Sequence, residues 1–286
     1  MSSRILVIGA TGTVGGHLVD ELRSRGAAVR AATRDPARAV TRWTSGVEVV
    51  DFDFERPATY APALAEVDRV FLIARPGDDE ADRVAFPLIE HMRAAGVRVV
   101  VDLSAMGAEQ RDDFALRRIE RKLERDGFAF THLRPNFFLQ VFSTGSLLGQ
   151  IRATGAFRLP TAQARLSYVD ARDVAAVAAV ALTSAGHEGR AYTLTGGESL
   201  SHDEIARAIS RAAGRPVRYV PIEEDAARRA LAAAGLSPAR IERLVGFYRL
   251  VRAGACAPVH PDVAQLLSRP PLGVERFALD HRADWT

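Results

Sequence analysis

The chain has 286 residues, of which 48% are hydrophobic and 26% charged; these proportions exclude a disordered or fibrous class and fit one large α/β domain or two closely joined lobes. The formal net charge of +3 is carried almost wholly by arginine, with no basic run longer than ARRA or LRRIERKLER, which leaves no electrostatic footprint for nucleic acid. The single cysteine, Cys256, excludes an internal disulfide and a multi-thiolate metal site and fits a reducing compartment.

The opening MSSRILVIGA reads as a strand rather than a signal peptide, because its apolar run is only strand-long and breaks into glycine turns. No apolar stretch reaches the roughly 18 residues that a membrane span requires, so a cytoplasmic location is expected. Strand-like runs follow at 4–9, 27–34, 47–53, 67–74 and 97–104, with helical stretches between them. The alternation predicts a parallel sheet covered by helices on both faces, and burial from both sides explains why several runs are apolar throughout. In GGHLVDELRSRG the residues Val14, Leu18 and Leu22 share one stripe, and Gly26 and Gly96 stand where left-handed helix ends belong.

After residue 135 the alternation loosens into an aromatic, glycine-interrupted stretch. RLSYVDARDVAAVAAVALTS then reads as a short strand entering a helix capped by Asp170 or Asp173, and RAYTLTGG as a further strand. Ser201, followed by Asp203 and Glu204, marks a helix start, with a strand through Val217 to Val220 beyond it. The final third carries two helices, the later one with Ile241, Leu244, Val245 and Tyr248 on one face. The expected division is 1–150 for a nucleotide-binding domain and 151–286 mainly for a second lobe, with some strands returning to the first sheet.

Gly9, Gly12 and Gly15 form GxxGxxG, directly after a strand and opening a helix. The chain must turn sharply, bring its backbone against a pyrophosphate and pack helix on sheet, and a side chain would obstruct each step. The helix N-terminus then offers free N–H groups to the phosphates. The second strand ends in Thr33 and Arg34, where an acidic residue would hold a ribose with free hydroxyls; an arginine instead suits a 2′-phosphate, so NADPH is preferred over NADH. Asp35 is adjacent, and a register shift of one residue would reverse that argument. Asp53 and Phe54, at the end of the third strand, fall where the adenine ring would rest.

GATGTVGG, TRDPARA, FLIARP, DLSAMGA, FTHLRPNFFLQ, LSYVDARDVAAVAAVAL and YTLTGGESLSHDEIARAIS, in that order over nearly the whole chain, resemble the NmrA-like branch of the atypical short-chain dehydrogenases/reductases. The resemblance implies an α/β Rossmann-type, doubly wound parallel sheet binding NAD(P), with a smaller C-terminal substrate lobe. It implies cofactor contacts from Gly9, Thr11, Gly12, Thr13, Val14, Gly15, Thr33, Arg34, Asp53, Phe54, Ala74, Leu103, Pro135 and Phe137. By the same analogy Ser104 lies near the nicotinamide and hydrogen-bonds a substrate oxygen, while Asn136 orients the ring or the substrate. Met106, Phe138, Phe142 and Phe247 are expected to line an apolar substrate pocket.

The wider superfamily uses a tyrosine as proton donor and a lysine four residues later on the same helix face. Here Lys122 is the only lysine, Arg118 stands four before it, and no tyrosine has a lysine at that offset. Many NmrA-like proteins carry a histidine on the helix after the fifth strand; aligned on LRP, that position is Leu116. The seven histidines lack metal-ligand spacing, and no metal is expected. His132, on the FTHLRP strand, is a weak candidate acid. The expectation is an NADPH-dependent reductase of a small apolar carbonyl, enone, quinone or iminium compound, acting as a monomer or homodimer without nucleic-acid or membrane partners. The rival is a non-catalytic NAD(P)-binding redox sensor that acts through a protein partner.

Overall fold

The computed structural model describes residues 4–74 and 78–286. In chain order it contains β1 (Arg4–Ile8), α1 (Thr13–Ser24), β2 (Ala28–Thr33), α2 (Pro36–Arg42), β3 (Glu48–Asp51), α3 (Tyr60–Leu64), β4 (Arg69–Ile73), α4 (Ala81–Ala94), β5 (Val99–Leu103), α5 (Ala115–Arg125) and β6 (Ala129–Pro135). It continues with α6 (Gly145–Thr154), β7 (Ala156–Leu159), β8 (Arg165–Leu166), α7 (Ala171–Thr183), β9 (Arg190–Leu194), β10 (Leu200–Ser201), α8 (His202–Ala213), β11 (Arg218–Pro221), α9 (Glu224–Ala233), α10 (Pro238–Arg252), α11 (Asp262–Leu267) and α12 (Val274–Asp280).

A seven-stranded parallel sheet runs in the order β3-β2-β1-β4-β5-β6-β9. The order reverses direction at β1, the switch point where a doubly wound sheet binds its ligand beyond the strand ends. Leu6, Ile8, Val70, Leu72 and Val100 share one core with Leu88, Ile89 and Met92 of α4 and Ile119 and Leu123 of α5. The alternate residues Ile5, Val7, Phe71 and Val101 are as fully buried, and strand periodicity sends them to the other face. Both faces are therefore dry, which is why these runs carry no polar alternation. Gly26 and Gly96 close α1 and α4 with φ of +72° and +83°, a conformation that costs glycine nothing.

The chain divides into two compact units. Unit 1 comprises 1–135, 171–194 and 265–268; unit 2 comprises 136–170, 195–264 and 269–286. The first stretch of unit 1 runs to Pro135, where β6 is the last strand before the chain leaves the sheet. It regains the sheet through β9, which pairs with β6 from Thr131↔Arg190 to Pro135↔Leu194, after α7 has packed on α1.

Unit 2 has its own core, in which Phe142, Phe157, Leu166, Ile205, Ile209, Phe277 and Trp285 are buried together. Two small strand pairs brace it, β11 parallel to β7 and β10 antiparallel to β8. The α8 N-terminus is a complete capping box: Ser201 Oγ accepts the Glu204 N–H while the Glu204 carboxylate accepts the Ser201 N–H, as the spacing of those two residues foretells.

Candidate functional site

The cradle lies where β1 gives way to α1. Gly9 has φ +70°, and a Cβ there would stand 2.8 Å from Ile73 Cγ2 at the end of β4. A Cβ on Gly15 would stand 2.2 Å from the Gly9 carbonyl oxygen, an impossible contact, and one on Gly12 would stand 3.1 Å from the same atom. The first turn of α1 carries no acidic residue and no side-chain cap, so its unbonded N–H groups face outward without a competing anion. Thr11, Gly12 and Thr13 are exposed, whereas Val14 and Gly15 are buried against the sheet. A backbone concavity with these N–H groups fits a pyrophosphate.

At the end of β2, Thr33 is buried and its hydroxyl lies 3.3 Å from that of Thr11, which ties the glycine turn to the next strand end. Asp35 caps α2 by accepting the Arg38 N–H. Arg34 is exposed and has no ion pair among the described residues. Asp53 is turned into its own loop, where its carboxylate accepts the Glu55 N–H at 3.0 Å, while Phe54 is half-buried and meets Phe52 edge to face. Ala74 follows β4 and is buried; Arg75 and Pro76 of the FLIARP motif lie outside the described residues.

Ser104 directly follows β5. Its N–H donates to the Leu133 carbonyl at 2.8 Å, and the Met106 N–H donates to that of Pro135 at 3.0 Å, so the β5 and β6 ends carry Leu103, Ser104, Met106 and Pro135 side by side. Beneath them lies a charged group that spacing alone does not disclose. His132 of β6 is the register partner of Asp102 of β5, and its Nδ1 lies 2.5 Å from Asp102 Oδ1. Glu120 of α5 is fully buried and accepts two bonds from Arg134, at 2.9 and 2.8 Å, and one from Arg117 at 2.7 Å. His132 Nε2 is 3.3 Å from Glu124, and Arg134 also reaches Glu109.

Burial works against the His132 imidazolium, but the charge and hydrogen bond of Asp102, with Glu120 and Glu124, outweigh it and raise its pKa. Burial likewise pushes the Glu120 carboxyl up; Arg134, Ser104, the His132 charge and Arg117 together hold it below the usual carboxylate range. Ser104 Oγ is itself buried and makes no hydrogen bond that meets distance and angle.

In unit 2 the Asn136 amide is engaged on both sides. Nδ2 donates to Ser167 O, Ser167 Oγ and Cys256 O at 3.2, 2.8 and 2.9 Å, and Oδ1 accepts the Phe137 N–H at 2.9 Å. Its donors are spent inside the unit, which makes it a clasp for the turn after β6 rather than a donor to a substrate. Phe142, expected to line a pocket, is wholly buried against Phe157 and Tyr168, and its carbonyl accepts the Trp285 indole N–H at 2.8 Å. It is a core residue. Phe137 and Phe247 are half-buried and meet edge to face at 6.4 Å, and Phe137 also abuts Tyr168. Phe138 is half-buried too, its backbone bridged to Val169.

Among the described residues no helix is long and apolar enough to cross a membrane. Comparison with known proteins gives a consistent picture. An NAD(P)H azoreductase from Xenophilus azovorans is 35% identical over 98% of this chain and 98% of its own. A (4-alkanoyl-5-oxo-2,5-dihydrofuran-3-yl)methyl phosphate reductase from Streptomyces griseus subsp. griseus is 39% identical over 97% of each. The crystal structure of Citrobacter sp. triphenylmethane reductase complexed with NADP(H) superposes with a TM-score of 0.83 at 23% identity, covering 99% of this chain and 100% of that one. The NmrA-like family model matches residues 1–252, and the chain belongs to the NmrA-like family.

Proposed function

We propose that this protein is an NADPH-dependent reductase that passes hydride to a small, largely apolar, conjugated or cationic electrophile such as a quinone, enone, activated carbonyl or iminium compound. The observation that carries the reading is the Gly9–Gly12–Gly15 cradle beside an exposed Arg34, with the neighbouring Asp35 committed to its own helix. The named activities of the azoreductase and the phosphate reductase, each matched over nearly its whole length, support it.

Bound in the cradle, the dinucleotide supplies hydride from its nicotinamide ring. The first-turn N–H groups of α1 would hold the pyrophosphate, and the Arg34 fork would pair with the 2′-phosphate. Ser104, at the end of β5, would turn its hydroxyl from its buried position toward the substrate atom on which negative charge develops. Within unit 2, the half-buried rings Phe137, Phe138 and Phe247 would suit a flat apolar molecule. Holding a good hydride donor and an activated acceptor in register lowers the barrier by on the order of 7 kcal/mol, so activated substrates turn over without the tyrosine–lysine pair.

The test is NADPH absorbance decay with a panel of quinones, cyclic enones, polycyclic ketones and iminium salts, with NADH and Arg34→Ala run alongside. Turnover that falls selectively with NADPH in the variant is the expected result.

A further inference from the structure

Arg34 is the outward charge at the end of β2, yet the next strand brings two carboxylates to the same corner of unit 1. We propose that Arg56 sets the preference for NADPH over NADH by masking Asp51 and Asp53, whose charge would otherwise repel the 2′-phosphate. The proposal rests on the reading of Arg34 as the partner of that phosphate.

Strand register brings the carboxylates there. Thr33 of β2 and Asp51 of β3 are partners, so their Cα atoms stand about 4.8 Å apart and their side chains leave one face of the sheet. That face turns to the cradle, because the Thr33 hydroxyl lies 3.3 Å from that of Thr11 in the glycine turn. The Phe52 N–H donates to the Thr33 carbonyl at 2.9 Å, which holds the end of β3 against β2 one residue short of Arg34. Carboxylates near this strand end are the fold's ordinary means of selecting free ribose hydroxyls, and they oppose a 2′-phosphate.

Arg56 covers both. Its Nη1 and Nη2 donate to Asp51 Oδ2 and Oδ1 at 2.9 and 2.7 Å, a two-point fork, and its Nε lies 3.5 Å from Asp53 Oδ2. The backbone presents that fork. The Arg56 N–H donates to the Asp53 carbonyl at 3.0 Å, and the Arg56 carbonyl accepts the Thr59 N–H at 2.9 Å and the Thr59 hydroxyl at 2.7 Å. Pro57 follows and keeps Arg56 out of the helical region, at φ −121° and ψ 82°.

Folding stability does not account for this arrangement. The Arg56 and Asp51 side chains are 50% and 44% exposed, and pairs so exposed contribute little to stability. The hydrogen bond from Arg56 holds the Asp51 carboxyl below its usual range, so Asp51 carries a full negative charge at neutral pH. Asp35 is turned to its own helix. Without Arg56, Asp51 and Asp53 together outweigh Arg34 beside the cradle.

The test is the dissociation constant for NADPH and for NADH, read by nicotinamide fluorescence, which needs no electrophile. Arg56→Gln removes the charge and keeps a polar side chain; Arg56→Ala removes both. In each, Kd for NADPH should rise about 5-fold at low salt, Kd for NADH should stay nearly constant, and the defect should shrink at about 0.5 M salt. Adding Asp51→Asn to Arg56→Gln restores the charge balance and should return NADPH affinity to the wild-type value. Asp51→Asn alone frees Arg56 and should tighten NADPH about threefold without changing NADH.

A loss that Asp51→Asn does not restore assigns Arg56 to direct contact with the phosphate and overturns the masking. Equal loss for both cofactors, or no loss, overturns it as well. Should the Arg56 variants fail to fold, Asp51→Asn decides alone: NADPH binding that is unchanged or weaker contradicts the proposal. Arg34→Ala in the same titration locates the phosphate, and a variant that binds NADPH as tightly as wild type takes the proposal down with that placement. Protein that binds NADPH in this pattern but reduces no electrophile contradicts the reductase and leaves the role of Arg56 standing.

Discussion

The carboxylate of Asp35 accepts the backbone N–H of Arg38 at 3.0 Å, which turns the acidic group toward its own helix and leaves Arg34 as the outward charge at the end of β2. The account therefore expects Arg34→Ala to raise KM for NADPH about 10-fold or more, the worth of a charge-assisted bond, and to leave KM for NADH nearly unchanged. Asp35→Ala should cost about 1 kcal/mol of stability through the lost cap with little change in cofactor preference. Steady-state kinetics with both cofactors, and denaturant midpoints, check the pair.

Gly15→Ala places a methyl group 2.2 Å from the Gly9 carbonyl oxygen, and both atoms belong to backbone that has no rotamer to move. The turn must open, so binding of NADPH, read by its fluorescence, should be lost or weakened by at least about 100-fold, on the order of 3 kcal/mol. Gly26→Ala is the control. Its φ of +72° is strained for alanine, but its Cβ would meet nothing within 4 Å, so it should lower Tm while leaving NADPH affinity intact.

His202 sets an acid limit on unit 2. Tyr219 gives its hydroxyl proton to the Leu159 carbonyl at 3.1 Å, so Thr161 donates to Tyr219 and accepts from His202 Nδ1, while Nε2 accepts from Tyr168. Only the neutral imidazole fits this chain, and burial pushes its pKa down to about 4. Between that value and the unfolded value of about 6.5, the unfolded chain binds a proton that the fold does not. Stability is full above the unfolded pKa and falls as pH drops through the window, by about 3 kcal/mol in all. Urea midpoints of wild type across pH 4–7 should show this slope, and His202→Gln should flatten it.

The C-terminal turn is part of the unit 2 core. Trp285 is fully buried, its indole N–H is held by Phe142, and its carbonyl accepts from Arg215 at 2.8 Å. Trp285→Ala should cost about 3–5 kcal/mol, as large aromatic deletions do, and should release the C-terminal segment to proteolysis ahead of the sheet. Limited digestion followed by mass mapping checks both parts.

The parallel sheet was legible because it is dry on both faces: continuous runs such as RILVI and VVVDL, punctuated by Gly26 and Gly96, leave little choice of element. The stretch after Pro135 was not. The sequence contains the residues of α6 and β7, but glycines and aromatic side chains break the periodicity, and their burial depends on Trp285, far along the chain. Phe142 looked like pocket lining for that reason. The bonds of Asn136 were not legible, because its partners Ser167 and Cys256 stand 31 and 120 residues away, beyond any local pattern. His132 looked unpaired because Asp102 and Glu120 reach it only through strand register and helix packing. One signal was present: Asp102 in VRVVVDLS, and His132 with Arg134 in FTHLRP, are charged or ionisable positions inside strands otherwise closed to water.

The measurement that bears most directly on the central claim is NADPH oxidation by the purified protein against quinone, enone, ketone and iminium electrophiles, paired with direct NADPH binding. The account predicts tight binding and catalytic turnover of at least one class, faster with NADPH than with NADH. Protein that binds NADPH through this cradle but oxidises it with none of these electrophiles would contradict the reductase and leave a cofactor sensor in its place.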